Sequence, residues 1–325
     1  MPGINSRVVE PTKDELKGKC LGAKTIRLAP TYGLVILMFG LLILFSVLLP
    51  ATFPTMLNLR AIPYDKAIIA LLSLAAKVPM VAGPIDLTVG YGILRPIAVQ
   101  IVLALSVLNG ILVKVARIDS LIATLGTGTT LYALALWHTG GRQMAGQLPN
   151  GFCKLSGTFI FGLPITACYV VGITFILWLL QEYTSIGRYL NAIGANQPAA
   201  ELNGIPTRKF VIGAFVTSGT RTALAGVLLA SKLRTGQTSV GLKFLLPARV
   251  AAVLGSTTIK PGRVNVWGTI VGVMILAIGI SGIQQFGGSF WVEAMCNGTT
   301  LPIAIGIAGS KPCRYLWSGA GADAR

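Results

Sequence analysis

The middle of the chain reads FIFGLPITACYVVGITFILWLLQ at 159–181, then GRYLNAIGANQPAAELNGIPTRK at 187–209, then FVIGAFVTSGT at 210–220. The first and third stretches are apolar, whereas the second is polar and rich in helix-forming residues. A membrane with a hydrocarbon core about 30 Å thick is spanned by a helix of roughly 20 apolar residues. The first run is long enough for such a helix, and so is the run from Phe210 to Ala230. The insert between them is longer than a turn requires, which makes it a candidate for a loop with a function of its own.

The same pattern recurs along the whole chain. Of its 325 residues, 53% are hydrophobic and only 11% are charged, whereas soluble domains carry about 25% charged residues. Spans are predicted at 32–50, 64–83, 96–113, 120–137, 159–181, 210–230, 266–286 and 290–309. Two further apolar pieces, 85–94 and 244–258, are too short or too interrupted to count as spans alone. Broken pieces at membrane depth persist only where protein or a water-filled cavity surrounds them, so both are candidate pathway elements.

The composition excludes several functions. The formal net charge of +17 comes from basic residues that lie between the apolar runs, not from a basic stripe with interleaved aromatics, so no nucleic-acid binding is expected. The five cysteines show no metal-ligand spacing, and His138 is the single histidine. The sequence offers no nucleophile–base pair. It therefore predicts no catalytic residues, no cofactor and no metal.

The basic residues predict an orientation, because cytoplasmic loops of membrane proteins are enriched in Lys and Arg. The N-terminus, the 187–209 insert and the connections near residues 114, 260 and 311 should be cytoplasmic. The loop 138–154 and the connection 231–239 should then face outward. From Lys114 onward this alternation works if 244–258 crosses the membrane. Before Lys114 the number of crossings must be even, which the three clear spans do not give.

Four motifs in order carry a resemblance. They are AGPIDLTVGYG (82–92), TLGTGTTLYALALWHTGGR (124–142), GRYLNAIGANQPAAELNGI (187–205) and AAVLGSTTIKPGRVNVWGT (251–269). Together they resemble the permease subunits of bacterial ABC importers of the ribose or simple-sugar type, over about residues 33–309. The resemblance implies an all-α polytopic membrane protein like a type II ABC importer. About 9–10 transmembrane helices, with short re-entrant or broken segments, are expected.

The resemblance gives the polar insert a role. In that family the matching loop carries a coupling helix, which docks on the ATP-hydrolysing subunit. The matching positions here are Gly187, Arg188, Gly194, Asn196, Ala199, Ala200, Glu201, Gly204 and Ile205. The residues themselves predict a short helix that Asn196 caps, with Pro198 in its first turn and its end at Gly204. The alternative is an ordinary amphipathic connector.

Asp86, Thr88 and Gly90 are the candidates for a gate or pathway. A carboxylate near membrane depth is by default a functional residue. Capping of a helix that starts at Leu87, together with gate geometry, is favoured over substrate contact. The segment 87–107 is shorter than the family pattern by about one span. Either 85–94 makes a reduced crossing, or a helix has been lost.

Basic residues inside or beside the apolar segments are a second departure from the pattern expected of membrane spans. They are Lys77, Arg95, Arg221 and Arg249. A central Lys or Arg costs about 2.5–3.5 kcal/mol on insertion scales. Such residues either line an aqueous pathway or reach an interface with the charged end of the side chain.

The resemblance implies a permease domain at 32–309, with the coupling loop at 182–209 and cytoplasmic tails at 1–31 and 310–325. The implied partners are ABC ATPase subunits, a periplasmic or lipoprotein solute-binding protein, a second permease copy and membrane lipids. The implied location is the bacterial plasma (inner) membrane, crossed several times. A branched-chain amino-acid permease is an alternative within the class. A self-sufficient secondary transporter or channel is an alternative from another class.

Overall fold

A computed structural model of the protein describes residues 33–84, 86, 96–145, 149–160, 162–236, 240–256, 265–288 and 291–309. The fold in these ranges is helical, with four strands of two residues each. The helices are α1 Gly33–Leu48, α2 Met56–Val81, α3 Pro96–Lys114, α4 Ser120–Thr139, α5 Asn150–Gly157, α6 Ile165–Glu182, α7 Ser185–Ala195, α8 Gln197–Leu202, α9 Thr207–Leu233, α10 Val240–Ser256, α11 Val266–Gln285 and α12 Trp291–Gly309. The strands are β1 Met144–Ala145, β2 Phe159–Ile160, β3 Leu163–Pro164 and β4 Thr235–Gly236.

Nine of these helices fall on nine of the ten apolar segments of the sequence, which confirms the all-α polytopic class. Within the described ranges, α4, α6, α9 and α11 are long and apolar enough to cross a membrane, and α1 is a shorter apolar helix. The piece 244–258 is not an isolated fragment, because it forms most of α10, a 17-residue helix that contains Pro247.

Two predicted boundaries were wrong. The span predicted at 159–181 begins only at Ile165, because residues 159–164 form an antiparallel β2–β3 hairpin around Gly162, whose φ of +79° suits glycine. The span predicted at 64–83 begins at Met56. There the Thr55 hydroxyl accepts a hydrogen bond from the Asn58 backbone N–H and caps the helix. Thr55 was not recognised as a cap because it lies in a mixed segment before the apolar run.

The centre of the bundle is the pair α2 and α9. Leu71, Leu74 and Phe215 are fully buried there, and Leu228 and Leu229 are nearly so. In lipid there is little hydrophobic drive between helices, so close packing and small residues hold such contacts together.

Helices α10 and α11 show this packing most clearly. A Cβ atom at Gly268 would lie 2.4 Å from the Gly255 carbonyl oxygen, and one at Gly272 would lie 2.8 Å from the Ala251 carbonyl oxygen. The GxxxG pair at 268–272 therefore serves the contact with α10. Only residues without a Cβ allow the two backbones to approach this closely.

The directions of the helices bear on the number of membrane crossings before Lys114. We call the end of the bundle that carries α7 and α8 the inner end, and the opposite end the outer end. The inner end of α3 is fixed by Lys114, whose ammonium lies 3.1 Å from Glu201 Oε1 on α8. The last turn of α9 contacts the first half of α2, where Lys232 Nζ lies 2.9 Å from Asp65 Oδ1. Both α2 and α3 therefore run from the outer end to the inner end.

Helices α2 and α3 thus have the same direction, although they are consecutive in the chain. The sequence left two alternatives for the segment between them, a reduced crossing at 85–94 or a lost helix. Both stay predictions, because residues 85–94 apart from Asp86 lie outside the described residues.

The outer end is tied together by polar contacts. β1 pairs with β4, which brings Met144–Ala145 of the 138–154 loop and Thr235–Gly236 of the 231–239 connection together at this end of the bundle. The Ser231 hydroxyl donates a hydrogen bond to the Phe152 carbonyl oxygen at 2.7 Å. Lys66 and Glu293 form an ion pair of 2.8 Å between α2 and α12.

Candidate coupling site

The polar insert forms two helices that lie across the inner end. Helix α7 turns Leu190 and Ile193 into the bundle, where they join an apolar cluster with Leu74, Leu177 and Phe215. The ring centroids of Tyr189 and Phe210 lie 5.1 Å apart, which holds α7 against the first turn of α9. The insert is therefore packed onto the membrane helices and is not a free connection.

Helix α8 has the capping that the sequence predicted. The Asn196 side-chain oxygen accepts a hydrogen bond from the Ala199 backbone N–H at 3.1 Å, and Pro198 lies in the first turn. At the other end Gly204 has a φ of +76°. Its N–H donates to the Glu201 carbonyl oxygen, and the Ile205 N–H donates to the Ala200 carbonyl oxygen. These two bonds form a Schellman motif, which satisfies the last carbonyl groups of the helix.

Two glycines of the predicted set allow close approach inside the protein. A Cβ atom at Gly194 would lie 2.0 Å from the carbonyl oxygen of Val81, the last residue of α2. A Cβ atom at Gly187 would lie 2.0 Å from the Gln181 carbonyl oxygen near the end of α6. These glycines seat α7 against the inner ends of α2 and α6.

Glu201 also faces its own chain. Its Oε1 accepts hydrogen bonds from the Thr207 hydroxyl at 2.6 Å, from Lys114 Nζ at 3.1 Å and from Gln197 Nε2 at 3.3 Å. The bonds from Thr207 and Lys114 hold the pKa of the Glu201 carboxyl below its usual value. Ala200 is buried beside it, and Ile205 packs against the same cluster as Leu190. The carboxylate therefore joins α8 to the ends of two membrane helices.

The exposed face of the loop combines predicted positions with residues that were not predicted. The exposed residues of the predicted set are Arg188, Gly194, Asn196, Glu201 and Gly204, and the other exposed residues include Gln197, Pro198 and Leu202. Leu202 is 90% exposed, which makes it the most exposed of the large apolar side chains in the described part of the chain. Leu202 was not among the positions predicted to meet a partner. It lies two residues after the buried Ala200, on the opposite side of the helix, and therefore faces outward.

Asp86 lies well inside the bundle. It is 4% exposed, and its Oδ2 accepts a hydrogen bond from the Ser218 hydroxyl at 2.7 Å. Ser218 is in the middle of α9, so the carboxylate lies near the middle of the membrane helices. Thr88 and Gly90, the other two gate candidates, lie outside the described residues, as does Leu87, the start of the helix that Asp86 was predicted to cap.

The basic residues in the apolar segments do not behave alike. Lys77 is fully buried and donates a hydrogen bond to Gln181 Oε1 near the end of α6, so its ammonium group lies inside the bundle. Arg221 and Arg249 are partly buried, and Arg95 lies outside the described residues. Among the described residues, no group of three or more His, Cys, Asp or Glu side chains could hold a metal ion.

Comparison with known proteins identifies the family. A sequence model of the family described as "Branched-chain amino acid transport system / permease component" matches residues 67–301. The ribose import permease protein RbsC of Bacillus subtilis (strain 168) is 31% identical over 299 residues, which cover 86% of this chain and 91% of that protein.

More distant relatives agree with this match. RbsC of Escherichia coli (strain K12) is 26% identical over 302 residues, with 84% of this chain and 93% of that protein covered. The autoinducer 2 import system permease protein LsrD of Escherichia coli (strain SMS-3-5 / SECEC) is 26% identical over 301 residues, with 84% and 91% covered. No solved structure matches the chain. With its apolar helices and a family match across most of them, the chain belongs to the branched-chain amino acid transport system permease family and is a multi-pass membrane protein.

Proposed function

We propose that the chain is the permease subunit of an ATP-driven ABC importer, and that it forms the pathway for a sugar or polyol across a bacterial plasma membrane. Domain 32–309 forms the pathway, and the tails 1–31 and 310–325 lie in the cytoplasm. The partners are an ATPase, a solute-binding protein on the outer face and a second permease copy. The sugar class is supported by the names of the relatives, which import ribose and autoinducer 2.

The observation that carries this proposal is the exposed face of the loop at the inner end. Leu202 extends from a short, capped helix that is fixed to the membrane helices behind it. A leucine that is 90% exposed at this place gains most from a partner that covers it. Burial of a leucine side chain contributes about 1.5–3 kcal/mol. The ATPase docks on this face, so that a change in its shape on ATP hydrolysis moves α7 and α8.

Co-purification tests the docking face. Leu202→Ala removes most of the apolar contact, at a cost of about 1.5 kcal/mol. We expect the affinity for the ATPase to fall about tenfold. Leu57→Ala is the matched control, because Leu57 is 81% exposed but lies at the outer end, at the start of α2. Equal binding of the ATPase to both variants would place its docking site elsewhere.

Two alternative functions differ in what they transport and in how they are driven. The description of the matched family favours a branched-chain amino-acid permease. Uptake of labelled ribose and of labelled leucine into proteoliposomes that contain the complete complex separates the two classes of solute. A secondary transporter or channel would carry solute without the ATPase. Uptake by the permease alone would therefore contradict the proposed mechanism.

A further inference from the structure

Glu201 occupies an unusual place for a residue of a docking loop. Its ion pair with Lys114 joins two residues that are 87 positions apart in the chain. The side chain of Lys114 is only 9% exposed, whereas that of Glu201 is 51% exposed. Lys114 is the last residue of α3, so its ammonium group is held where that helix ends. The ion pair therefore connects α8 to the inner end of α3.

The same carboxylate also holds α9. Thr207 is the first residue of α9, and its hydroxyl donates to Glu201 Oε1 at 2.6 Å. Further along, α3 and α9 are packed closely. A Cβ atom at Gly219 of α9 would lie 2.0 Å from the Ser106 hydroxyl oxygen of α3. A displacement of α8 that pulls on Glu201 would therefore act on two helices that are already packed together.

This connection is separate from the contact that seats α7. Gly194 lies against the end of α2, whereas Glu201 acts on α3 and α9. The carboxylate is occupied by three donors of its own chain, and the neighbouring Leu202 carries the exposed apolar surface. The two consecutive residues thus make different contacts: Glu201 binds the ends of α3 and α9, whereas Leu202 is exposed and binds neither.

We propose that Glu201 is a positioning residue that links movement of the coupling loop to α3 through Lys114, and not a contact with the ATPase. This inference rests on the function proposed above. It predicts that loss of the ion pair separates ATPase binding from the response of α3. The ATPase still binds, but its nucleotide state no longer changes the position of α3.

The movement can be measured without knowledge of the solute. Spin labels at Val115, directly after α3, and at Met56, at the outer end of α2, report the distance between them in the complex with the ATPase. Both positions are exposed. In an otherwise wild-type complex we expect this distance to change between the nucleotide-free and the ATP-bound states. Glu201→Gln should abolish the change, while the amount of co-purified ATPase stays at the wild-type level.

Charge exchange distinguishes a specific ion pair from a general loss of structure. Lys114→Glu and Glu201→Lys should each abolish the distance change. The double variant should restore it, because the ion pair forms again with its charges exchanged. The Thr207 hydroxyl and the Gln197 amide oxygen can also accept hydrogen bonds from a lysine at position 201. Glu293→Gln is the matched control. It removes an ion pair with Lys66 of similar length, 2.8 Å, at the outer end, and should leave the distance change intact.

Four results would overturn the inference. Two concern Glu201→Gln, namely loss of ATPase binding and an unchanged response of α3. The other two are failure of the double variant to recover the response and an α3 that does not move in the wild-type complex. Failure of the proposed function has a different signature, because the wild-type permease would then bind no ATPase at all.

Discussion

The contact between α7 and the end of α2 provides a quantitative prediction. In Gly194→Ala, the new Cβ atom would lie 2.0 Å from the Val81 carbonyl oxygen, whereas ordinary contact begins at 3.4 Å. The two backbones must therefore separate by about 1.4 Å. Overpacking of this kind costs about 1–3 kcal/mol of folding free energy. The cost should lie near the upper limit, because the new Cβ atom meets a backbone oxygen and not a side chain that can turn away. Alanine regains about 0.5–1 kcal/mol of helix propensity, so we expect a net loss of about 2 kcal/mol.

The measurement is the free energy of unfolding of the purified permease in mixed micelles, followed by helical circular dichroism. Gly213→Ala is the control, because a Cβ atom at Gly213 in α9 meets no other atom within 4 Å. That variant should be as stable as the wild type or more stable, since only the gain in helix propensity applies. If Gly194→Ala were as stable as Gly213→Ala, α7 would not lie against α2 as described. The reasoning about how the loop is seated would then be refuted.

Three further changes test other contacts by the same measurement. Gly268→Leu forces a side chain against the Gly255 carbonyl oxygen and should cost about 3 kcal/mol, whereas Gly279→Leu, in open space, should stay within about 0.5 kcal/mol of the wild type. Ser218→Ala removes the donor to Asp86 and should cost about 1.5–3 kcal/mol, so a variant of wild-type stability would exclude that bond. The folded pKa of Glu201 is lowered, so its contribution to stability is present above pH 4.5 and is lost as the pH falls through the lower folded value. Glu201→Gln should remove this part of the pH dependence, and an unchanged profile would mean that another group causes it.

The apolar runs predicted the long helices because helix length is set by the thickness of the membrane. The agreement is closest for α3, predicted at 96–113 and observed at 96–114, for α11, predicted at 266–286 and observed at 266–285, and for α12, predicted at 290–309 and observed at 291–309. The predicted helix boundaries were wrong where a polar cap or a turn makes the helix longer or shorter than the apolar run. The β2–β3 hairpin replaces the first turns of a predicted span, and the Thr55 cap adds two turns to α2.

For the coupling site, local chemistry was predictable and tertiary direction was not. The capped helix from Asn196 to Gly204 follows from residues within a few positions of one another. The direction of Glu201 depends on Lys114, far away in the chain, and that of Gly194 depends on Val81. No pattern within the loop carries this information. The sequence therefore predicted one set of docking residues, whereas the structure divides the loop into an inward and an outward part.

The completeness of the caps on α8 has a mechanical consequence. An isolated helix of six residues would be marginal in water and would unwind under a small load. Here a side chain holds the first turn and a Schellman motif holds the last, so there is little slack for strain to enter at either end. In the proposed complex, a force applied at Leu202 would therefore not be absorbed by fraying of the helix. It would move α8 as one rigid unit, which Glu201 joins to the ends of α3 and α9.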